Sequence, residues 1–204
     1  MVQSSLFLGA ALTLLASCAA LAPTPPRRPN IVLFLVDDLG WQDISVPLAE
    51  QPTELNARYR TPNVERLARE GLVFTQAYAA APVCTPTRAA IHTGIAPARS
   101  HITYWTLRKD SDTSASWPGL VPPAWDVNGV QPEDTTLAEL LSGAGYRTIH
   151  VGKAHWGALG TPGSDPRTLG FDVNVGGHGA GAPASFYGTE NFAAAARKGD
   201  PVWN

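Results

Sequence analysis

A cysteine lies in the segment C-T-P-T-R-A-A-I-H-T-G, which covers residues 84–94. The proline at position 86 and the alanines that follow predict a helix beginning at Pro86, so that Cys84 lies just before its N-terminus. A helix N-terminus favours negative charge and presents free N–H groups to an oxyanion. Arg88, one helical turn beyond Cys84, can add a charge-assisted hydrogen bond. The segment therefore suits an anionic substrate, although a lone cysteine is usually a buried structural residue.

A second segment with chemical potential is G-Y-R-T-I-H-V-G-K-A-H-W-G, residues 145–157. Lys153 and His155 follow a predicted strand over Tyr146–Val151 and, two residues apart, can point to one side. Together they could hold an anion and transfer a proton. Taken alone, the pattern fits an exposed lysine and a structural histidine better.

Two adjacent carboxylates, Asp37 and Asp38, follow the apolar run Ile31–Val36. That run predicts a strand buried on both faces, and ligands collect at the carboxyl ends of parallel strands. A hard cation such as Ca²⁺ would relieve the repulsion between the two carboxylates. The alternative interpretation is a solvated turn, where aspartate is common.

The remaining elements must position these groups. Strands alternating with helices predict an α/β fold with a mostly parallel sheet. Residues 95–133 and 157–204 have weak periodicity and predict loops. The other predicted elements are a helix from Thr61-Pro62 to Gly71, a strand over Leu72–Tyr78, and a helix over Leu137–Leu141 with a capping box of Thr136 and Glu139, closed by Gly143 or Gly145.

Several other histidines and tryptophans are candidates for the site. The stretch G-G-H-G-A-G, residues 176–181, lacks a predicted strand before it and a helix after it, which indicates a flexible loop. His178 could line the substrate pocket, but a position at the surface is favoured. Trp105, Trp117 and Trp125 could stack on sugar rings or cover the core. His92, His101 and His150 show no partner pattern, and His150 is expected to be structural.

The first 29 residues predict export. Residues 1–26 carry no charged side chain, and Leu6–Leu15 has the length of a signal-peptide apolar region but is short for a bilayer span. The tetrad L-A-S-C that ends at Cys18 resembles the bacterial lipobox, in which the chain is cut before the cysteine and the cysteine is acylated. We expect a signal peptide over residues 1–17, a lipid anchor on Cys18, and a Pro-rich tether over residues 18–29. Ordinary secretion with cleavage near residue 20 or 22 is the alternative.

The net charge and the number of cysteines bear on two properties, nucleic-acid binding and disulfide formation. The net charge of −2 gives no electrostatic case for nucleic acid. The two cysteines, Cys18 and Cys84, allow one disulfide arithmetically, but each lies in a motif that predicts a separate fate.

C-T-P-T-R followed by T-G resembles the signature of type I sulfatases, and G-Y-x-T-x-x-x-G-K-x-H resembles their second signature. Asp37-Asp38 matches the family's first pair of metal ligands. Two positions depart from the pattern: His92 stands where an apolar residue is usual, and Ala154 where an aromatic residue is more frequent. The three motifs occur in the family's order over residues 30–157.

The resemblance implies the alkaline-phosphatase-like α/β fold. It also implies that residues 30–204 are the N-terminal part of a sulfatase catalytic domain. In the family, a maturation enzyme oxidises the motif cysteine, here Cys84, to formylglycine. One hydroxyl of the hydrated aldehyde attacks sulfur, and the second expels sulfate. By analogy, Asp37, Asp38 and residue 84 would bind Ca²⁺, with Mg²⁺ as the alternative ion.

The resemblance also assigns roles to the other motif residues. Arg88 would steady the formylglycine oxygens, Lys153 would hold a sulfate oxygen, and His155 would hydrogen-bond the diol or the sulfate. The family uses further metal ligands, a further histidine and a further lysine in the later half of its domain. We therefore expect residues 1–204 alone to be inactive and poorly soluble, with unpaired sheet edge and half a core exposed.

The function that these residues predict is hydrolysis of sulfate esters. The predicted substrate is a sulfated small molecule or, by preference, a sulfated polysaccharide. The predicted location of the protein is the bacterial envelope, in the periplasm or at the outer membrane. Two alternatives stay open. One is a formylglycine-dependent phosphonate or phosphodiester hydrolase. The other is a non-catalytic surface lipoprotein that binds anionic glycans.

Overall fold

The computed structural model describes residues 28–113 and 118–182. Two compact units divide the chain, Met1–Asp38 and Leu39–Asn204, and all the helices and strands below lie in the second. The helices are α1 (Pro62–Glu70), α2 (Cys84–Thr93), the single-turn α3 (Pro97–Ser100) and α4 (Leu137–Gly143). Two strands, β1 (Ile149–Val151) and β2 (Val173–Val175), and three 3₁₀ helices (Asn56–Arg58, Pro162–Ser164, Pro166–Leu169) complete the set.

Strands β1 and β2 pair in parallel, with Ile149 opposite Val173 and Val151 opposite Val175. This confirms the parallel arrangement and the last three residues of the strand predicted over Tyr146–Val151. The prediction that residues 157–204 form only loop was wrong, because β2 and two 3₁₀ helices lie there. A strand of three residues is too short to give a clear alternating pattern. Because the strands are parallel, the chain leaves both at the same edge of the sheet.

Two predicted strands are absent from the described residues. The side chains of Ile31–Val36 are 44–86% exposed, and neither this run nor Leu72–Tyr78 forms a strand. A strand buried on both faces needs neighbours that pair its N–H and C=O groups. Among residues 28–113 and 118–182, the only strand ladder is that between β1 and β2. The apolar run was therefore correctly recognised, but its predicted pairing and burial were wrong.

The predicted helices are confirmed, with differences at their ends. Helix α1 begins at Pro62 and ends before Gly71, yet the Thr61 hydroxyl makes no cap and instead accepts a hydrogen bond from the Ser45 N–H (3.0 Å). Helix α4 has the predicted capping box. The Glu139 N–H donates to the Thr136 hydroxyl (3.1 Å), and the Thr136 N–H donates to the Glu139 carboxylate (3.0 Å).

Helix α4 runs through Gly143 and has Ala144 as its C-cap. Gly145 follows with φ = 83°, so the helix is closed at one of the two predicted glycines. Helix α3 lies within residues 95–133, which the sequence predicted as loop. Each difference concerns a single turn at the edge of an element, where sequence signals are weakest.

A small core joins α2 to the segments that follow it. Its buried members are Ala89, Ile102, Val130, Ala154, Trp156 and Leu169, with Phe171 packed against them. The ring of His92 stacks on Trp156 with 4.2 Å between centroids, and Phe171 lies parallel to both. This core connects α2 to the chain that leaves β1, and so it fixes the two motif segments relative to each other.

Many apolar side chains of the described residues are exposed. On β1, Ile149 and Val151 are 57% and 70% exposed, and on the helices Leu67 and Leu140 are 70% and 62% exposed. None of the helices in the described part of the chain is long and apolar enough to traverse a bilayer.

Candidate functional site

Helix α2 carries the first motif. Its buried residues, Thr85, Pro86, Arg88, Ala89 and His92, recur at helical spacing and form one inward face. The helix begins at Cys84 itself, so the prediction of a start at Pro86 was wrong by two residues. Proline is tolerated throughout the first turn because the N–H groups there have no partner within the helix. Cys84 is a free cysteine and is partly exposed.

Arg88 ties the first motif to the second. Its side chain is buried, and Nη1 donates to the backbone carbonyl of Lys153 at 2.6 Å. This bond brings the Arg88 side chain to the backbone of Lys153, within unit Leu39–Asn204. Two further bonds fix the start of the helix. The Thr85 hydroxyl donates to the Trp105 carbonyl (3.0 Å), and the Thr87 hydroxyl donates to the Ala81 carbonyl (2.7 Å).

The segment after β1 holds His155 in place. The Gly152 N–H donates to the Val175 carbonyl (2.9 Å), and the His155 N–H donates to the His178 carbonyl (3.0 Å). His155 is buried between two core residues and has φ = 57°, in the left-handed region. Residues other than glycine adopt that backbone region rarely, and such conformations cluster at functional sites. The surrounding contacts therefore hold the backbone of His155 in this conformation.

The glycine-rich stretch at 176–181 differs from its prediction. A strand, β2, directly precedes it, and His178 is fully buried. The Nδ1 atom of His178 accepts from the Ala180 N–H at 2.8 Å. A Cβ at Gly181 would lie 2.9 Å from Cε1 of His155, so this position lets the backbone approach the imidazole closely. The prediction of a surface histidine in a flexible loop was wrong, since the preceding strand was missed.

Two of the other candidate histidines, His92 and His150, lie in the aromatic core, whereas His101 is exposed and has φ = 59°. Burial lowers the pKa of His92 to about 4, although the backbone of Leu169 acts in the opposite direction. Burial also lowers the pKa of His150, whose Nδ1 lies 3.4 Å from the side-chain oxygen of Asn174. The structural role expected of His150 is confirmed. His92 and His150 do have partners, the rings of Trp156 and Phe171, which sequence spacing did not indicate.

A cavity of about 500 Å³ opens beside His155. It lies on the side of the glycine-rich stretch, and Cys84, Arg88 and Lys153 are not among the residues that line it. Sequence analysis singled out Trp105 but missed the cations of the wall. The lining residues are Trp105, Thr106, Leu107, Arg108, Lys109, His155, Leu159, Gly179, Ala180 and Gly181.

The candidate tryptophans Trp105 and Trp125 lie in different surroundings. Trp105 is 48% exposed, and its ring lies 6.1 Å from that of Tyr104. Nε1 of Trp125 donates to Asp112 (2.8 Å), and its ring makes an edge contact with Tyr104. Trp117 lies outside the described residues.

Asp37 and Asp38 end the first unit and are both exposed, and Asp38 has φ = 55°. Their carboxylate oxygens are the donor type that Ca²⁺ prefers, but Ca²⁺ takes six to eight oxygens. Over residues 28–113 and 118–182, no group of three or more His, Cys, Asp or Glu side chains is placed to hold a metal ion. The predicted metal set of Asp37, Asp38 and Cys84 stays a prediction.

The two motif segments of the second unit thus meet just past the end of β1, on an α/β fold. The family model Sulfatase matches residues 29–192, and the chain belongs to the sulfatase family. The fold is the α/β, alkaline-phosphatase-like fold that the sequence predicted. The crystal structure of Ps i-CgsB is similar, with a TM-score of 0.52 and 31% identity over 74% of this chain and 29% of that one.

Curated relatives are sulfatases as well. N-acetylgalactosamine-6-sulfatase from Sus scrofa is 40% identical over 79% of this chain and 28% of its own length. Steryl-sulfatase from Mus musculus is 37% identical over 80% of this chain and 24% of its own length. Arylsulfatase G from Rattus norvegicus is 36% identical over 75% of this chain and 24% of its own length. The chain thus spans about a quarter of the length of these relatives.

Proposed function

We propose that this protein hydrolyses sulfate esters of carbohydrates, with Cys84 converted to formylglycine and a calcium ion as cofactor. Membership of the sulfatase family supports the reaction class. A relative named for N-acetylgalactosamine-6-sulfate supports a sulfated sugar as substrate. The maturation partner is the enzyme class that oxidises the cysteine of C-x-P-x-R.

The observation that carries the proposal is the joint placement of the two motifs. Cys84 is partly exposed in the first turn of α2, where the backbone N–H groups and the helix dipole favour an anion. Arg88, on the next turn, is buried and bonded to the carbonyl of Lys153. A structural cysteine would not require a buried arginine that reaches the backbone of a Lys-x-His segment 65 residues away in sequence.

The residues of this chain would then divide the work. Formylglycine supplies a nucleophilic oxygen for sulfur and a second oxygen that releases sulfate. Arg88 would hold the oxygens of residue 84 through its guanidinium. Lys153 would bind a sulfate oxygen, and His155, fixed by its buried neighbours, would donate a hydrogen bond and move a proton at the site.

Asp37, Asp38 and residue 84 would hold the calcium ion. The ion would supply positive charge that polarises the sulfate ester. The donor type fits, and further oxygen ligands are required to reach the coordination number of Ca²⁺. Mg²⁺ is the alternative ion, with its stricter six-coordinate geometry.

The test is the mass of the peptide that contains residue 84, from the gene product purified from its native host. Conversion of CH₂–SH to an aldehyde lowers the peptide mass by about 18 Da. We expect that loss, together with release of sulfate from sulfated oligosaccharides. An intact cysteine in an inactive preparation would contradict the proposal and favour the non-catalytic glycan-binding protein.

A comparison of ester classes tests the rival hydrolase. We expect kcat/KM on a sulfate monoester to exceed that on the matching phosphodiester and phosphonate. A preference for the phosphorus esters in a preparation that carries formylglycine would replace the sulfatase by that rival.

We also propose export and a lipid anchor on Cys18, in the bacterial periplasm or at the outer membrane. The support is the L-A-S-C tetrad after a ten-residue apolar run. In host cells fed radiolabelled palmitate, the wild-type protein should be labelled and sediment with membranes. The Cys18→Ala variant should lose the label. Equal labelling of the two proteins would contradict the anchor site.

A further inference from the structure

The cavity beside His155 carries a charge that the proposed reaction does not use. Among the described residues, its wall contains the two cationic residues Arg108 and Lys109 and no carboxylate. The anion-binding roles in the proposed reaction fall on Arg88 and Lys153, neither of which lines this cavity. Arg108 and Lys109 are therefore cations in excess of what one sulfate ester requires.

The acidic residue next to these cations is engaged elsewhere. The Asp110 carboxylate accepts from Nδ2 of Asn128 (3.1 Å), and the Asp110 N–H donates to Oδ1 of the same side chain (2.9 Å). The Ser111 N–H donates to the Arg108 carbonyl (3.1 Å) and closes the turn. Both cationic residues of this turn thus line the cavity, while its carboxylate is held by Asn128.

The cavity is physically tied to the proposed catalytic groups. His155 forms part of its wall, and Gly181 faces that imidazole at close range. On the other side, the Trp105 carbonyl accepts from the hydroxyl of Thr85, the residue after Cys84. A molecule in this cavity would therefore lie against the same segments that hold the reacting ester.

The shape and surface of the cavity favour a sugar residue over a free anion. Its volume of about 500 Å³ is within the range of ligand pockets, and it is larger than a sulfate group needs. Trp105, 48% exposed, offers an aromatic face, and Leu107 and Leu159 add apolar wall. Aromatic and apolar surface beside fixed cations suits a ring that carries an anionic substituent.

We propose that this cavity binds a sugar residue that bears a second sulfate group, with Arg108 and Lys109 as the ligands of that group. The inference rests on the proposed function and deepens it. The substrate class is then a multiply sulfated oligosaccharide rather than a singly sulfated small molecule.

The experiment compares three substrates on the native, matured protein. They are a disulfated oligosaccharide, its monosulfated counterpart with the same backbone, and 4-methylumbelliferyl sulfate. We expect kcat/KM on the disulfated substrate to exceed that on the monosulfated one by about tenfold, the size of one good charge-assisted contact. Equal kcat/KM values on the two oligosaccharides would overturn the proposal.

Variants locate the effect. The Arg108→Gln, Lys109→Gln double variant should lose the preference for the disulfated substrate over the monosulfated one. Arg66→Gln, Arg69→Gln is the matched control, because it removes two exposed cations from α1, away from the cavity. A double variant at 108 and 109 that keeps the preference would refute the assigned ligands.

A binding measurement separates this inference from the proposed function. Calorimetry of the disulfated oligosaccharide should give a Kd about tenfold weaker for the 108/109 variant than for the wild type, whether or not turnover occurs. A wild type that does not hydrolyse the aryl ester and retains unmodified Cys84 would contradict the proposed function alone. Unchanged Kd values would contradict the cavity assignment alone.

A fourth substrate identifies the anionic group that binds to Arg108 and Lys109. A monosulfated oligosaccharide that carries a carboxylate in place of the second sulfate tests whether any oxyanion suffices. We expect it to be a poorer substrate than the disulfated compound. A higher kcat/KM on the carboxylate compound would show that the second group is a uronic acid carboxylate, and the assignment to sulfate would be wrong.

Discussion

The buried imidazole of His92 makes the stability of the fold depend on pH. Its ring is 4% exposed and stacks on Trp156, and its pKa is lowered from the ordinary value to about 4. Between pH 6.5 and 4 the unfolded chain therefore binds a proton at this residue that the folded chain excludes. The contribution of neutral His92 is complete above about pH 6.5 and is lost progressively as the pH falls.

The magnitude follows from the two pKa values. A folded-state pKa of about 4 against 6.5 in the unfolded chain lowers the free energy of unfolding by about 3 kcal/mol on going from neutral pH to pH 4. Other groups act on the same ring, since His150 lowers its pKa and Glu139 raises it. Burial is the largest of these influences and fixes the sign of the change.

The perturbation is His92→Phe, which keeps a flat ring against Trp156 and removes the titration. Urea unfolding of both proteins at several pH values between 7.5 and 4 gives the difference in unfolding free energy at each pH. That difference cancels the titration of groups shared by the two proteins, His150 included. We expect the variant to gain stability relative to the wild type as the pH falls. A difference that stays constant across this range would refute the reasoning.

Three further predictions concern the elements around the site. Thr136→Ala removes both the cap of α4 and the hydrogen bond from the Thr136 hydroxyl to the Leu169 carbonyl. In urea titrations it should lower the free energy of unfolding by about 1–2 kcal/mol. Ser142→Ala, at an exposed position, should change it by less than about 0.5 kcal/mol. Gly181→Ala places a methyl group against the imidazole of His155, the proposed proton-transfer group, and should reduce kcat/KM by about tenfold or more. Gly143→Ala, with open space around it, should leave activity unchanged, and equal activities of the two variants would contradict the close approach. Arg88→Lys keeps the charge but loses the planar donor fork, so kcat/KM should fall at least about tenfold; wild-type activity in this variant would show that charge alone suffices.

Local signals in the sequence were reliable where neighbouring residues alone decide the structure. The capping box of Thr136 and Glu139 is present because both of its hydrogen bonds lie within one helical turn. Helix α1 begins at Pro62 for the same local reason, although its Thr61 hydroxyl bonds to Ser45. The choice of Ser45 over the helix end depends on a contact that residue spacing does not encode.

Pairing and burial were less predictable. The apolar run Ile31–Val36 has the composition of a buried strand, but a strand exists only when a neighbour pairs with it. In contrast, the three residues of β2 form a strand because β1 lies beside them. Missing β2 also led to the wrong environment for His178, which is buried directly after that strand.

The sequence by itself indicated the family of this protein, because the motifs around Cys84 and Lys153 stand in the order and spacing of the sulfatase signatures. Only the tertiary structure decided which groups meet across the chain. Arg88 reaches the carbonyl of Lys153, and His92 titrates abnormally, because packing brings distant segments together and excludes water from them. Such contacts depend on the shape of the whole core, and no local pattern of residue types specifies them.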